Sequence, residues 1–175
     1  RQRLTHSLRL STTHESTLVS EMNAANVDAL YQEIILDHYK NPQGSGLRED
    51  FDTEVHHVNP TCGDEITLRV DLDGEIIKDV SYAAEGCSIS QASASVMYEL
   101  VHGKTVAEAF NILDEFHAMM QSKGQIEPNE DLLEDAIAFA GVAKFPARVK
   151  CALLGWMAWK DATSSALSLK EQEQS

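Results

Sequence analysis

The stretch EITLRVDLDGEIIKDVSYAAEGC, residues 65–87, decides the fold. It contains two strand-like runs, 65–72 and 76–84, and the Asp73-Gly74 dipeptide between them supplies the positive φ of a tight hairpin turn. Upstream, residues 53–58 read as a third strand, which makes an antiparallel meander the economical arrangement. Downstream the texture changes at Cys87. Ser88 can cap a helix in which Ile89, Ala92, Val96, Leu100 and Val101 recur every three or four residues. Thr105 and Glu108 have the spacing of a capping box and open a further helix through Phe110, Leu113 and Phe116. Pro128 precedes NEDLLEDAIAFAGV, a helical stretch with acids at its start, where the helix dipole favours them. Pro146 opens the last helix, through Val149, Leu153, Leu154, Trp156 and Met157 to about Ala166. Before the strands, Val27, Leu30, Tyr31, Ile34 and Ile35 mark an amphipathic helix from Asn26 that closes at Asn41-Pro42, and NPQGSGLRED reads as a loop. Strands first and helices after predict an α+β domain: a small three-stranded antiparallel sheet with helices packed on one face.

At 175 residues the chain fits one domain able to bury a core without disulfides. The domain is expected over residues 25–166, with 1–24 a disordered extension and 167–175 a disordered tail. The opening segment carries three Arg and only two acids, a balance shared by upstream extensions and organelle transit peptides. A formal charge of −14 repels phosphate backbones, which argues against a nucleic-acid partner, and no apolar run is long enough for a membrane span. Three cysteines cannot all pair, and no secretory apolar region is present, so a reducing, cytoplasmic setting is expected.

Each cysteine falls at a boundary between elements: Cys62 before the second strand, Cys87 between the third strand and its helix, Cys151 near the start of the last helix. Thr61, Gly63, Asp64 and Glu65 give Cys62 polar neighbours, which argues against a buried apolar role. Gly63 permits a sharp turn that would bring the Cys62 thiolate and the Asp64 carboxylate to one side. The N-terminal end of the Ser88 helix favours a thiolate at Cys87, and Arg148 and Lys150 would act likewise on Cys151. Should the three thiolates converge with Asp64, they would make an S₃O set suited to tetrahedral zinc. The intervals of 25 and 64 residues match no compact zinc signature, so scattered core cysteines or a single disulfide are alternatives at this level.

His56 and His57 alternate faces of a strand, so at most one can look toward Cys62. His38 caps or packs beside Tyr39, His102 and His117 read as helix-surface residues, and Trp156, Met157 and Trp159 as core. The acids between Glu127 and Asp135 form a solvated face or a docking surface for a basic partner. No phosphate-cradling glycine loop, nucleophile elbow or His-x-x-x-His pattern occurs.

Four blocks in order, YQEIILDHYKNPQGSG, NPTCGDEITL, AEGCSISQASASVM and FPARVKCALLGW, resemble the iron-sulfur cluster assembly scaffold family (NifU N-terminal/IscU-like), in its SUF-type, SufU-like branch. The resemblance covers about residues 27–162 and implies a SufE/NifU-like fold. It places Cys62, Asp64, Cys87 and Cys151 at the family's metal-binding positions. It implies a zinc-containing sulfur acceptor for a PLP-dependent cysteine desulfurase, working with other SUF assembly proteins; within it, the Gly63-flanked turn should be the most mobile, which makes Cys62 the expected acceptor, with Arg148 or Lys150 stabilising the developing anionic sulfur. The related role is a scaffold for a transient [2Fe-2S] cluster on the same four residues. Lys150 stands where the housekeeping branch has histidine, and FPARVK replaces that branch's chaperone-facing Leu-Pro-Pro-Val-Lys. The material from about Lys104 to Lys144 is similar to the insertion that marks the SufU-like branch.

Overall fold

The computed structural model describes residues 12–175, with side chains from residue 16 onward. Residues 1–11 of the expected extension lie outside the described residues. The elements run α1 (Thr12–Lys40), β1 (Thr53–Asn59), β2 (Asp64–Asp73), β3 (Ile76–Glu85), α2 (Ser88–Val101), α3 (Val106–Gln121), α4 (Glu130–Leu133) and α5 (Pro146–Glu173), with 3-10 turns at Glu134–Phe139 and Val142–Lys144.

The three strands form one antiparallel sheet in the order β1-β2-β3. Alternation along β2 sets its two faces: Ile66, Leu68, Val70 and Leu72 are buried, while Glu65, Thr67, Arg69 and Asp71 stay partly exposed. In β3, Lys78 is an extra residue between the Asp71↔Asp79 and Leu72↔Ile77 pairs. That bulge changes the parity, so Ile77 and Val80 both face the core. The outer edge of β3 is bonded at both ends. Gly46 N–H donates to Tyr82 O (2.8 Å) and Tyr82 N–H to Gly44 O (3.3 Å), while Ile77 N–H donates to Lys104 O and Gly103 N–H to Ile77 O (both 2.9 Å).

α2 and α5 cover the buried face of the sheet. Trp156 of α5 stacks on Phe116 of α3 with ring centroids 4.6 Å apart, and its Nε1–H donates to Ser93 Oγ at 3.1 Å. Gly155 lets α5 approach α2, since a Cβ there would lie 3.2 Å from that of Ala94. The expected α+β architecture, with a three-stranded antiparallel sheet and helices on one face, is the one observed. No helix among the described residues is long and apolar enough to cross a membrane.

Three elements depart from the sequence reading. α1 begins at Thr12 rather than near Asn26 and so runs through residues expected to lack structure. Residues 16–30 are all exposed, so no apolar stripe announces this part; it contains good helix formers and neither Gly nor Pro. Residues 129–142 are not one helix. α4 stops after four residues, where Glu134 adopts φ 45°, and a 3-10 helix follows. Leu133, Ala136 and Phe139 are buried at intervals of three, the period of a 3-10 stripe. Finally, α5 extends past Ala166 to Glu173, where the Lys170 ammonium donates to Leu72 O (3.0 Å) and pairs with Asp52 (3.4 Å).

Candidate metal centre

The β1–β2 turn is built on Asn59. Its carbonyl accepts the N–H groups of Cys62 (3.3 Å) and Gly63 (2.9 Å), and its side-chain Oδ1 accepts the N–H of Thr61 (3.2 Å). The chain closes this loop with Gly63 at φ +70°, a conformation that favours glycine. Cys62 is thereby left exposed at the tip, while Asp64, two residues on, opens β2 on the core face at 1% exposure.

At the end of β3 a second glycine decides where the Asp64 carboxylate lies. Gly86 adopts φ +145°, and a Cβ on it would collide with Asp64 Oδ1 and lie 2.7 Å from Cγ. With that space free, the Cys87 N–H donates to Asp64 Oδ1 at 2.8 Å and the Cys87 thiol lies 3.6 Å from Oδ2. Cys87 is the N-cap of α2, and Ser90 Oγ–H donates to its carbonyl at 3.0 Å. The third sulfur comes from α5, which Pro146 starts; Cys151 lies in its second turn and is 3% exposed. Cys151 Sγ is 3.0 Å from Cys62 Sγ and 3.6 Å from its own i−4 carbonyl, Ala147 O, with Asn59 Nδ2 at 3.9 Å.

The structure thus brings Cys62, Asp64, Cys87 and Cys151 to one end of the sheet. Ligating atoms of Cys62, Asp64 and Cys151 all lie within 4.8 Å of one another, and Cys87 joins through Asp64. Sulfurs on one tetrahedral zinc would be about 3.8 Å apart and sulfur and oxygen about 3.6 Å, from bond lengths of about 2.3 and 2.1 Å. The Cys87–Asp64 separation matches and the Cys62–Cys151 pair sits closer. The chemistry of the donor set also calls for a cation. Asp64 is buried, yet among the described residues no Lys, Arg or His forms an ion pair with it. The Cys151 thiol is pushed well above the ordinary thiol range, first by burial and then by its contacts with Cys62 and Asp64. The Cys62, Asp64 and Cys151 donors fit a thiophilic divalent ion, and Cys87 lies 3.6 Å from the carboxylate among them.

Among the described residues, neither Arg148 nor Lys150 hydrogen-bonds a thiol. Both are exposed, and the Arg148 guanidinium lies over the Phe145 ring, 5.7 Å from its centroid, at a cleft it shares with Tyr31 and Ile35. His56 bonds Thr67 Oγ1 (2.9 Å) and His57 bonds Asp161 (2.8 Å), both away from the thiols. Sequence reasoning passed over Asn59 and Gly86. The Asn-Pro start of the turn and the glycine before Cys87 were the available signals, but what each one fits against is non-local.

Compared with known proteins, residues 30–152 match the NifU-like N-terminal domain family. The zinc-dependent sulfurtransferase SufU of Bacillus subtilis is 48% identical over 134 residues, covering 77% of this chain and 89% of the relative. The iron-sulfur cluster assembly scaffold protein IscU of Streptococcus pyogenes serotype M1 is 42% identical over 141 residues, covering 81% and 87%. A crystal structure from Fervidobacterium islandicum AW-1, described as a candidate iron-sulfur cluster assembly scaffold for the SUF system, superposes with a TM-score of 0.69. Its identity is 38%, covering 74% of this chain and 93% of that one.

Proposed function

Because this chain belongs to the NifU-like N-terminal domain family, we propose that it is a zinc-dependent sulfur carrier for iron-sulfur cluster assembly, in which Cys62, Asp64, Cys87 and Cys151 hold the metal. The observation that carries this reading is the meeting of a buried, cation-free carboxylate with three free thiols delivered by the β1–β2 turn, α2 and α5. Likeness to a zinc-dependent sulfurtransferase supports it. Zinc, when bound, keeps such thiols deprotonated at neutral pH without adding redox chemistry of its own.

Cys62 is the acceptor. It is exposed on a glycine turn, whereas Cys151 is buried in a helix and Cys87 is fixed by its N–H bond to Asp64. The Cys62 thiolate attacks the terminal sulfur of a persulfide on a PLP-dependent cysteine desulfurase. A bond from Cys62 Sγ to that sulfur forms, the partner's sulfur-sulfur bond breaks, and the partner's cysteine leaves as thiolate. No electrons are gained or lost overall, so no outside oxidant or reductant is required. The Asn59 carbonyl holds the turn through two N–H groups and keeps the attacking sulfur at the protein surface. A reducing compartment such as the cytoplasm suits this chemistry, with other SUF assembly proteins as recipients, and the working unit is the sheet with the helices packed on it, through the end of α5.

The test is transfer of radiolabelled sulfane sulfur from a cysteine desulfurase to the zinc-loaded protein. The native protein should take up label; Cys62→Ala should take up none while keeping its fold. Full uptake by Cys62→Ala would refute the assignment. A second reading, a scaffold holding a transient [2Fe-2S] cluster on the same residues, is favoured by the likeness to IscU. Anaerobic reconstitution with iron and sulfide separates the two: a stable chromophore transferable to an apo-protein supports the scaffold, and retained zinc without colour supports the carrier.

A further inference from the structure

A second set of donors lies outside the thiol centre. His38, in the last turn of α1, is buried at 4% exposure, and its ring is held by hydrogen bonds at both nitrogens. Nδ1 is 2.8 Å from Ser95 Oγ, and Ser95 is itself fixed by accepting the Gln43 N–H at 2.8 Å. The other nitrogen, Nε2, is presented to two carboxylates from two other elements. Asp135 Oδ2 of the 3-10 helix is 2.9 Å away and Glu99 Oε2 of α2 is 3.8 Å away. The two acid side chains are about half exposed, 51% and 44%, so an ion can enter from solvent while the imidazole waits beneath.

We propose that His38, Glu99 and Asp135 form a second, exchangeable site for a divalent first-row transition ion, which ties α1, α2 and the Glu134–Phe139 turn together when bound. Three arguments carry it. The ligating atoms of all three lie within 4.8 Å of one another. An ion bonded at about 2.1 Å to nitrogen and oxygen needs ligand separations of about 3.0–3.4 Å, which the two observed distances bracket. The imidazole is also prepared as a metal ligand. A ligating histidine characteristically gives its other ring N–H to a fixed acceptor. Here the neutral ring would take its Nδ1–H tautomer on binding, with Nδ1–H donating to Ser95 Oγ and the Nε2 lone pair turned to the ion.

The third argument is charge. Glu99 and Asp135 turn two like-charged carboxylates toward the single Nε2 of His38, where they repel each other. A cation between Glu99 and Asp135 relieves that repulsion. The donor set is nitrogen and oxygen without sulfur, so it suits zinc, manganese or ferrous ions with a lower sulfur preference than the thiol centre.

The test uses full-length protein already carrying one equivalent of zinc, titrated with further zinc by calorimetry. The native protein should take up a second equivalent. The E99Q/D135N double variant, altered only at half-exposed positions, should bind that equivalent about tenfold to a hundredfold more weakly while retaining the first. Manganese added to the zinc-loaded native protein should broaden the His38 ring NMR signals ahead of all other histidines. A native protein that stops at one equivalent overturns the proposal. So does a variant that binds the second equivalent as tightly as the native protein, or manganese broadening centred on another histidine.

Discussion

Replacing Gly86 by Ala tests how the thiol centre is assembled. The added Cβ would overlap Asp64 Oδ1 and come within 2.7 Å of its Cγ and 2.9 Å of its Cβ, so the carboxylate must swing away. It then loses the Cys87 N–H bond at 2.8 Å, a charge-assisted contact of about 1.5–3 kcal/mol, and it no longer meets the Cys87 sulfur. Backbone strain at φ +145° adds about 1–3 kcal/mol. A control separates the two contributions. Gly46 also has positive φ, +103°, but a Cβ there meets nothing within 4 Å, so Gly46→Ala carries strain alone. The excess effect of Gly86→Ala should be about 2 kcal/mol, roughly a thirtyfold loss of zinc affinity. The assay is competition for zinc against a chromogenic chelator, with thermal melts recorded in the presence and absence of that chelator. Zinc affinity for Gly86→Ala equal to that of Gly46→Ala would falsify the view that the missing side chain at residue 86 positions the carboxylate.

Two further expectations concern the fold. The Glu108 carboxyl lies below its ordinary range first because it accepts the Thr105 backbone N–H, at 3.0 Å, in a capping box whose other half is the Glu108 N–H donating to Thr105 Oγ1. A depressed folded-state value stabilises above the unfolded value of about 4.3 and is lost as pH falls through the folded one. Glu108→Gln should therefore flatten the acid side of a stability-versus-pH profile below about pH 5, and an unchanged slope by urea melts would count against the cap. Phe116 is fully buried, stacks on Trp156 and meets Phe139 edge-on at 6.0 Å; Phe116→Ala should cost about 3–5 kcal/mol in the same melts, and a loss below about 1 kcal/mol would contradict its place at the centre of the core.

How far the sequence could be read depended on whether each signal was local. The β2–β3 hairpin, the Thr105 capping box and Pro146 as the start of α5 are all written within a few residues, and the structure follows them. The segment 129–142 has helical composition, but its burial at residues 133, 136 and 139 is set by what packs over it, and a helix-period reading misses the break at Glu134. The exposed start of α1 buries nothing, so periodicity is silent there. At the thiol centre, the residue types and the boundary positions of Cys62, Cys87 and Cys151 were legible. The 3.0 Å approach of Cys62 to Cys151 was not, since it depends on how α5 crosses the sheet. His38 illustrates the same limit: its partners Ser95, Glu99 and Asp135 are far along the chain, and nothing beside Tyr39 announces them.

The bonding of β3 along its outer side has a consequence for behaviour in concentrated solution. A strand with free amide and carbonyl groups is a template on which another chain can pair. Here the loop at 44–46 occupies one stretch of that template and the turn at 103–104 occupies another. Shortening the glycine loop after α1, which looks dispensable in sequence, would bare the Tyr82 backbone and invite sheet growth between molecules, so its length is a safeguard against aggregation.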